Sequence, residues 1–343
     1  FIREGNLGDQ GAAGMNEQHS LERYEAADFI NRTHKPIPRS YGDALLAAAK
    51  KDKRIVALTA DLSTPTETDI FRDELSDRYH NVGIAEANMI GIASGMARTG
   101  EIPFVHTFCA FATKRCYDQI TMQAAYPNLP IKIVGFLPGV ATLLGVSHQA
   151  IEDVAIMRAI PNMLVIDPSG PEYHAAAVQV ALDHEGPAYI RLKRPEAPPE
   201  HEILAKSFEK GKGIVARQGS DLTIIAAGLS VDHALNAANE LSNEGIEAAI
   251  IDMPSIKPID EKLIVEQARK TGAVVTAENH SIIGGLGSAV AEVLCDAGIG
   301  IPFKRVGMTD RFAEGGSTAY LFSKYGLDGV AISSAVRDVM SRK

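Results

Sequence analysis

A chain of 343 residues, 45% hydrophobic and 22% charged, carries enough apolar material for about two domain-sized cores, and nothing in it reads as fibrous or disordered. A net charge of −9 without a long run of Lys or Arg argues against a nucleic-acid or anionic-membrane partner, and no apolar run reaches the length of a membrane span. Cys109, Cys116 and Cys295 are odd in number and lack metal-ligand spacing, so neither a disulfide framework nor a zinc site is expected, and a reducing cytoplasm is the simplest compartment.

Residues 1–14, FIREGNLGDQGAAG, are rich in small residues and read as an appended tag or a loose arm. The following charged, weakly amphipathic stretch to about Lys35 completes an N-terminal extension of residues 1–35 that could lie on the body or on a partner. From Ser40 to Lys51 the pattern predicts a helix, and from Arg54 to Thr59 a strand. Further on come strand 131–136, a glycine-containing loop, helix 150–158, strand 163–167, helix 171–183 and strand 188–192. Strands alternating with helices predict a parallel, doubly wound α/β sheet. The proline- and acid-rich run RPEAPPEHE, residues 194–202, then marks a linker. A second α/β unit follows, with strands at 222–227, 248–252 and 273–277 and helices at 232–244, 261–271, 287–297 and 329–340.

The chemistry concentrates in residues 78–120. There a short strand stops at Gly83, a helix begins near Ala85 with Glu86 in its first turn, and the chain returns as PFVHTFCAF. A carboxylate at a helix start is an ordinary N-terminal charge when it faces water. Joined by the rings of Phe108 and Phe111, it becomes a pocket for a flat heteroaromatic with a protonatable ring nitrogen. The run GGLGSA, 284–289, lacks the third glycine of a dinucleotide fingerprint and lies outside the first βαβ unit, which leaves it a helix-packing role.

The segments GIAEANM and TFCAF resemble the pyrimidine-binding domain of transketolases, and DMPSIKPID, TAENHSIIGGLGSAV and EGGSTAYLFSKYGLDG resemble the transketolase C-terminal domain. The resemblance implies a pyrimidine-binding domain at 36–195, a linker at 196–210 and a smaller C-terminal α/β domain at 211–343. It implies thiamine diphosphate as cofactor, with Glu86 bonded to the pyrimidine nitrogen and Phe108 and Phe111 stacked on the ring. Asp61 and Leu62 in TADLST match the positions near the thiazolium; otherwise they form a polar turn. His148 in GVSHQ matches a histidine that touches the reacting sugar, and Arg39 and Arg194 match arginines that grip its phosphate, whereas Arg191 matches no such position and reads as a solvated surface cation. The family's GDG metal and diphosphate motif is absent from this chain. The resemblance therefore implies half of a split enzyme, with Mg2+ or Ca2+ and the diphosphate held mainly by an N-terminal partner subunit and an α2β2 assembly.

Two departures bear on the substrate. Leu144 stands where the family has an aspartate that reads a sugar hydroxyl, and Phe136 where it has a sugar-contacting histidine. A leucine cannot read a hydroxyl, so a branched, deoxygenated or otherwise modified ketose phosphate becomes an expected donor. Three functions follow from the resemblance: a ketol transferase subunit, the β subunit of a 2-oxoacid dehydrogenase or part of a deoxyxylulose-phosphate synthase-like enzyme, or a scaffold that has lost its chemistry. His80, His106, His280, Gly91 and Gly95 read as packing residues.

Overall fold

Strands covered on both faces read as mostly apolar runs, and Ile55–Thr59, Lys132–Phe136 and Ala188–Leu192 are each buried along their whole length, with Lys132 and Arg191 as charged exceptions. The computed structural model describes residues 39–193 and 208–343. The N-terminal extension, Arg194 and residues 196–207 of the expected linker lie outside them.

The first half runs α1 (Ser40–Lys51), β1 (Ile55–Thr59), α2 (Thr68–Glu74), β2 (Tyr79–Asn81), α3 (Glu86–Arg98), β3 (Ile102–Phe108), α4 (Cys109–Lys114) and α5 (Tyr117–Gln119), which passes into a π turn at Ile120–Ala125. It continues with β4 (Lys132–Phe136), α6 (Asp153–Ala159), β5 (Leu164–Ile166), α7 (His174–Leu182) and β6 (Ala188–Leu192). The second half runs β7 (Ile214–Arg217), β8 (Leu222–Ala226), α8 (Ser230–Ser242), β9 (Ala248–Asp252), β10 (Ser255–Lys257), α9 (Glu261–Thr271), β11 (Val274–Ser281), α10 (Leu286–Asp296), β12 (Phe303–Met308), α11 (Thr318–Tyr325) and α12 (Gly329–Met340).

The sheets are ordered β10-β5-β6-β4-β3-β1-β2 and β12-β11-β8-β9-β7. Both are doubly wound and parallel except at one edge, where β10 runs antiparallel to β5 and β7 antiparallel to β9. Neither edge strand is visible as a period-2 pattern: β10 is three residues between Pro254 and Pro258. It belongs to the second half of the chain yet completes the first sheet. Helix α6 starts three residues later than its apolar spacing predicts, because Ala150 is tied to Gly139 as a bridge.

One apolar core passes through both halves. Met89, Ile90 and Ala93 of α3 join Cys109, Cys116 and Ile120, then Val154 and Met157 of α6, and this layer continues without a break into Ile225, Ile251, Ile256, Leu286 and Val290. The outer face of the second sheet is closed by α8 and α12 through Val231, Leu241, Ile332 and Val336.

Two buried histidines in this interior are paired. The His106 ring lies 2.6 Å from the Tyr41 hydroxyl and 2.9 Å from the carbonyl of Leu58. His174 meets Ser40 Oγ at 2.8 Å. Burial holds both imidazoles neutral, lowering His106 to about 4 and His174 to about 3. The unfolded chain takes up these protons near pH 6.5 while the native protein does not, so stability is full above that pH and declines as pH falls toward 4. Each histidine removes about 1.4 kcal/mol per pH unit across its window. Urea midpoints measured from pH 7 to pH 4 should show this acid limb, and His106→Gln should flatten it.

Candidate active site

Open α/β sheets place ligands beyond the carboxyl ends of the strands, at the point where strand order reverses. In the first sheet that point lies between β1, whose successor β2 goes to one side, and β3, which lies on the other. Asp61 and Leu62 follow β1, and Phe108 ends β3. Asp61 has a left-handed φ of 58°, held by a reciprocal pair in which its N–H donates to Asn81 Oδ1 (3.2 Å) and Asn81 Nδ2 donates to its carboxylate (2.9 Å). The turn thereby bridges β1 and β2, while the Leu62 N–H donates to Thr59 Oγ1.

Glu86 is the first residue of α3, and only 5% of it is exposed. A carboxylate so enclosed needs a partner. Arg115 provides it, with Nη1 donating to Glu86 Oε1 at 2.8 Å, and the same guanidinium lies 3.8 Å from the centre of the Phe111 ring. Phe111 and Phe108 are 5.9 Å apart, and the His148 ring lies 5.0 Å from the first and 6.0 Å from the second. Glu86, Arg115, the two phenylalanines and His148 thus form one cluster. Sequence reasoning does not single out Arg115; its signal is a four-residue spacing from Phe111, which puts both on one helical face.

His148 reaches the cluster on a pinched loop. Gly139 and Ala150 exchange backbone hydrogen bonds of 3.1 and 2.9 Å, closing residues 139–150. From the second half, Asn279 clamps the loop's entry: its Nδ2 donates to the carbonyl of Pro138 (2.9 Å), and its Oδ1 accepts from the N–H of Val140 (3.0 Å). Gly139 has a φ of 60°, and a Cβ there would come 2.1 Å from Asn279 Oδ1, so glycine is required. Gln149 Nε2 donates to the carbonyl of Glu314 at 2.8 Å, which backs the loop's exit. Burial, and secondarily the nearby positive charge of Arg115, hold the His148 imidazole below its ordinary range. Its Nδ1 is 2.9 Å from Ser147 Oγ. Leu144, on the same loop, is 43% exposed.

Other expected residues are placed differently. Phe136 is fully buried at the end of β4 with its ring 5.7 Å from that of Tyr41. Arg39 is partly buried and pairs with Asp69. Arg191 is no surface cation: it is buried, donating from Nε to Asp153 Oδ2 (2.8 Å), from Nη1 to Asp167 Oδ2 and from Nη2 to the carbonyl of Asn279 (3.1 Å). Burial pushes the Asp167 carboxyl up, with Arg191 opposing. His280 is also buried, with Nδ1 2.7 Å from the Ser281 carbonyl. In the GGLGSA run a Cβ on Gly284 would come 2.6 Å from the Ala155 side chain of α6. The N–H groups of Leu286 and Gly287, at the start of α10, already bind the carboxylate of Glu278. Among the described residues, no group of three or more His, Cys, Asp or Glu is arranged to hold a metal.

This geometry defines an α/β pair of domains with a carboxylate and aromatic faces at the switch point of the first sheet. Residues 37–199 match the model of the transketolase pyrimidine-binding domain, and residues 211–332 that of the transketolase C-terminal domain. The chain belongs to the transketolase family. It is similar to the 6-deoxy-6-sulfo-D-fructose transketolase subunit of Clostridium sp. (strain MSTE9), 47% identical over 306 residues, covering 89% of this chain and 94% of the relative. A putative transketolase C-terminal section of Methanocaldococcus jannaschii is 41% identical, covering 92% of this chain and 99% of the relative. A solved split-gene transketolase, described as an inactive β4 tetramer, superposes with a TM-score of 0.81 at 45% identity, covering 89% of this chain and 98% of the other. The similarity runs along nearly the whole of each of these chains.

Two outcomes follow from the site's construction. Asn279→Ala leaves the Val140 N–H and Pro138 carbonyl buried without partners, at about 1–3 kcal/mol each, and should appear as a lower urea midpoint and faster amide exchange across residues 139–150. In an NMR titration His148 should lose its proton below pH 6.5, and Arg115→Gln should move that midpoint upward by removing a neighbouring positive charge.

Proposed function

We propose that the chain is the catalytic-carboxylate half of a ketol transferase. In this reading it moves a two-carbon unit from a ketose to an aldose and is active only with a partner chain that holds the diphosphate and its Mg2+ or Ca2+. The observation that carries the reading is Glu86, buried and engaged by a flat cation that also lies over the Phe111 ring. Those residues fit the aminopyrimidine of thiamine diphosphate, the cofactor on which the family generally depends. Bound there, the cofactor supplies the nucleophilic carbon that takes up the ketol unit.

In this reading Glu86 shares a proton with the pyrimidine nitrogen, and its enclosure keeps water from competing for that proton. Phe108 and Phe111 orient the ring and exclude solvent. His148, held neutral, has its Nε2 free of Ser147 and can exchange a proton with a hydroxyl of the substrate. Asp61 and Leu62 border the other side of the switch point. Arg39 and Arg194 are the candidates for the anionic end of the sugar; Arg39 must first part from Asp69.

For the donor, we favour a modified ketose. Leu144 offers the substrate an apolar, 43% exposed side chain in place of a hydrogen-bonding carboxylate. The relative named for 6-deoxy-6-sulfo-D-fructose is consistent with such a substrate. We further propose an α2β2 assembly in which the partner completes each site.

The test is to mix this chain with a partner subunit, thiamine diphosphate and Mg2+ and to follow aldehyde release from xylulose 5-phosphate, fructose 6-phosphate and 6-deoxy-6-sulfofructose. Release should require both chains, and Glu86→Gln should lower it by about 10²–10⁴-fold, the range for a positioned proton-transfer group. Release of CO2 from a 2-oxoacid with no ketose turnover would replace this reading with that of a 2-oxoacid dehydrogenase subunit.

A further inference from the structure

A carboxylate buried to 5% exposure and an aromatic face beside it are awkward to leave empty: one lacks a counter-charge, the other a partner. Arg115 satisfies both at once. Its Nη1 donates to Glu86 Oε1 at 2.8 Å, and its Cζ lies over the Phe111 ring, 3.8 Å from the centre. A protonated aminopyrimidine is likewise flat and cationic, carries an N–H donor and stacks on aromatic faces. It would ask for the same oxygen and the same ring.

We propose that Arg115 is a built-in placeholder for the pyrimidine ring, occupying Glu86 and Phe111 until the cofactor arrives and then withdrawing. This rests on the reading that the site takes thiamine diphosphate. Withdrawal is open to the side chain. Arg115 is 47% exposed and sits at the C-terminal end of α4, where the regular helix gives way to α5 and the π turn. Its neighbour Lys114 is turned to Glu152 and does not compete for Glu86. The Arg115 guanidinium is half in water and Glu86 is not, so separating them costs the arginine little provided that another cation takes over the carboxylate at the same moment. The placeholder stabilises the cofactor-free subunit and lowers its affinity for the ring, since each binding event must displace it.

The experiment measures binding and not turnover. Calorimetric titration of thiamine diphosphate with Mg2+ into the assembled two-chain complex should give a dissociation constant about three- to tenfold lower for Arg115→Gln than for wild type, the range expected when a partly exposed ion pair no longer competes. The isolated Arg115→Gln chain should also melt at a lower temperature, because Glu86 is left buried without a partner. Equal or weaker binding by the assembled variant would overturn the placeholder while leaving the cofactor reading intact. If the wild-type complex binds no thiamine diphosphate, the cofactor reading fails and the placeholder fails with it. Should Arg115→Gln not fold, Arg115→Lys keeps the charge but loses the flat face and should tighten binding by a smaller factor; no tightening there overturns the proposal equally.

Discussion

A guanidinium with no water around it must be enclosed by acceptors, and the arrangement of this protein follows from how Arg191 is enclosed. Its acceptors come from Asp153 at the start of α6, Asp167 just beyond β5, and the carbonyl of Asn279 in β11. Four pieces of chain that are far apart in sequence are drawn to one point between the two sheets. Removing one member of such a set leaves a stranded buried charge, which costs about 3–5 kcal/mol, so the set holds as a unit. Asn279 contributes twice, through its carbonyl to Arg191 and through its side chain to the loop that carries His148. The anchor between the domains and the support of the His148 loop are therefore the same residue.

The site itself is divided by rigidity. Glu86 and Phe108 sit at the ends of regular elements, where backbone hydrogen bonds leave little freedom. Leu144 and His148 lie on a loop fixed at its neck by Gly139 and Ala150 and braced by Asn279 and Gln149. In the proposed function the groups that would meet the cofactor are thus on the scaffold, and those that would meet the sugar are on a loop whose tip can vary without disturbing the sheet.

Much of this was legible in the residues. The bounds of α1, α9, α12, β6 and β9 coincide with the apolar periodicity, since each buries a continuous face and ends at a turn or cap signal. Local sequence also places Glu86 at a helix start and Phe108 and Phe111 near a strand end. Non-local pairing was not legible. Arg191 reads as a surface cation in AYIRL because its acceptors are 24 and 38 residues away. Nor does the sequence show that α1 brings Tyr41 over Phe136 and closes it into the core. Arg115 carries no motif of its own; only the folded α4 puts it across from Glu86.

Strand β10 has a consequence for how such a protein can be rearranged over evolutionary time. By pairing with β5 it seals a sheet edge that would otherwise present free backbone donors and acceptors to any other chain. The second domain therefore supplies the first with a missing piece, and the pair cannot be parted between residues 193 and 208 without exposing that edge. A gene encoding this architecture can be cut upstream of α1, or fused there to another domain, far more safely than it can be cut in its middle. Recombination would pass the two domains on together, as a single heritable module.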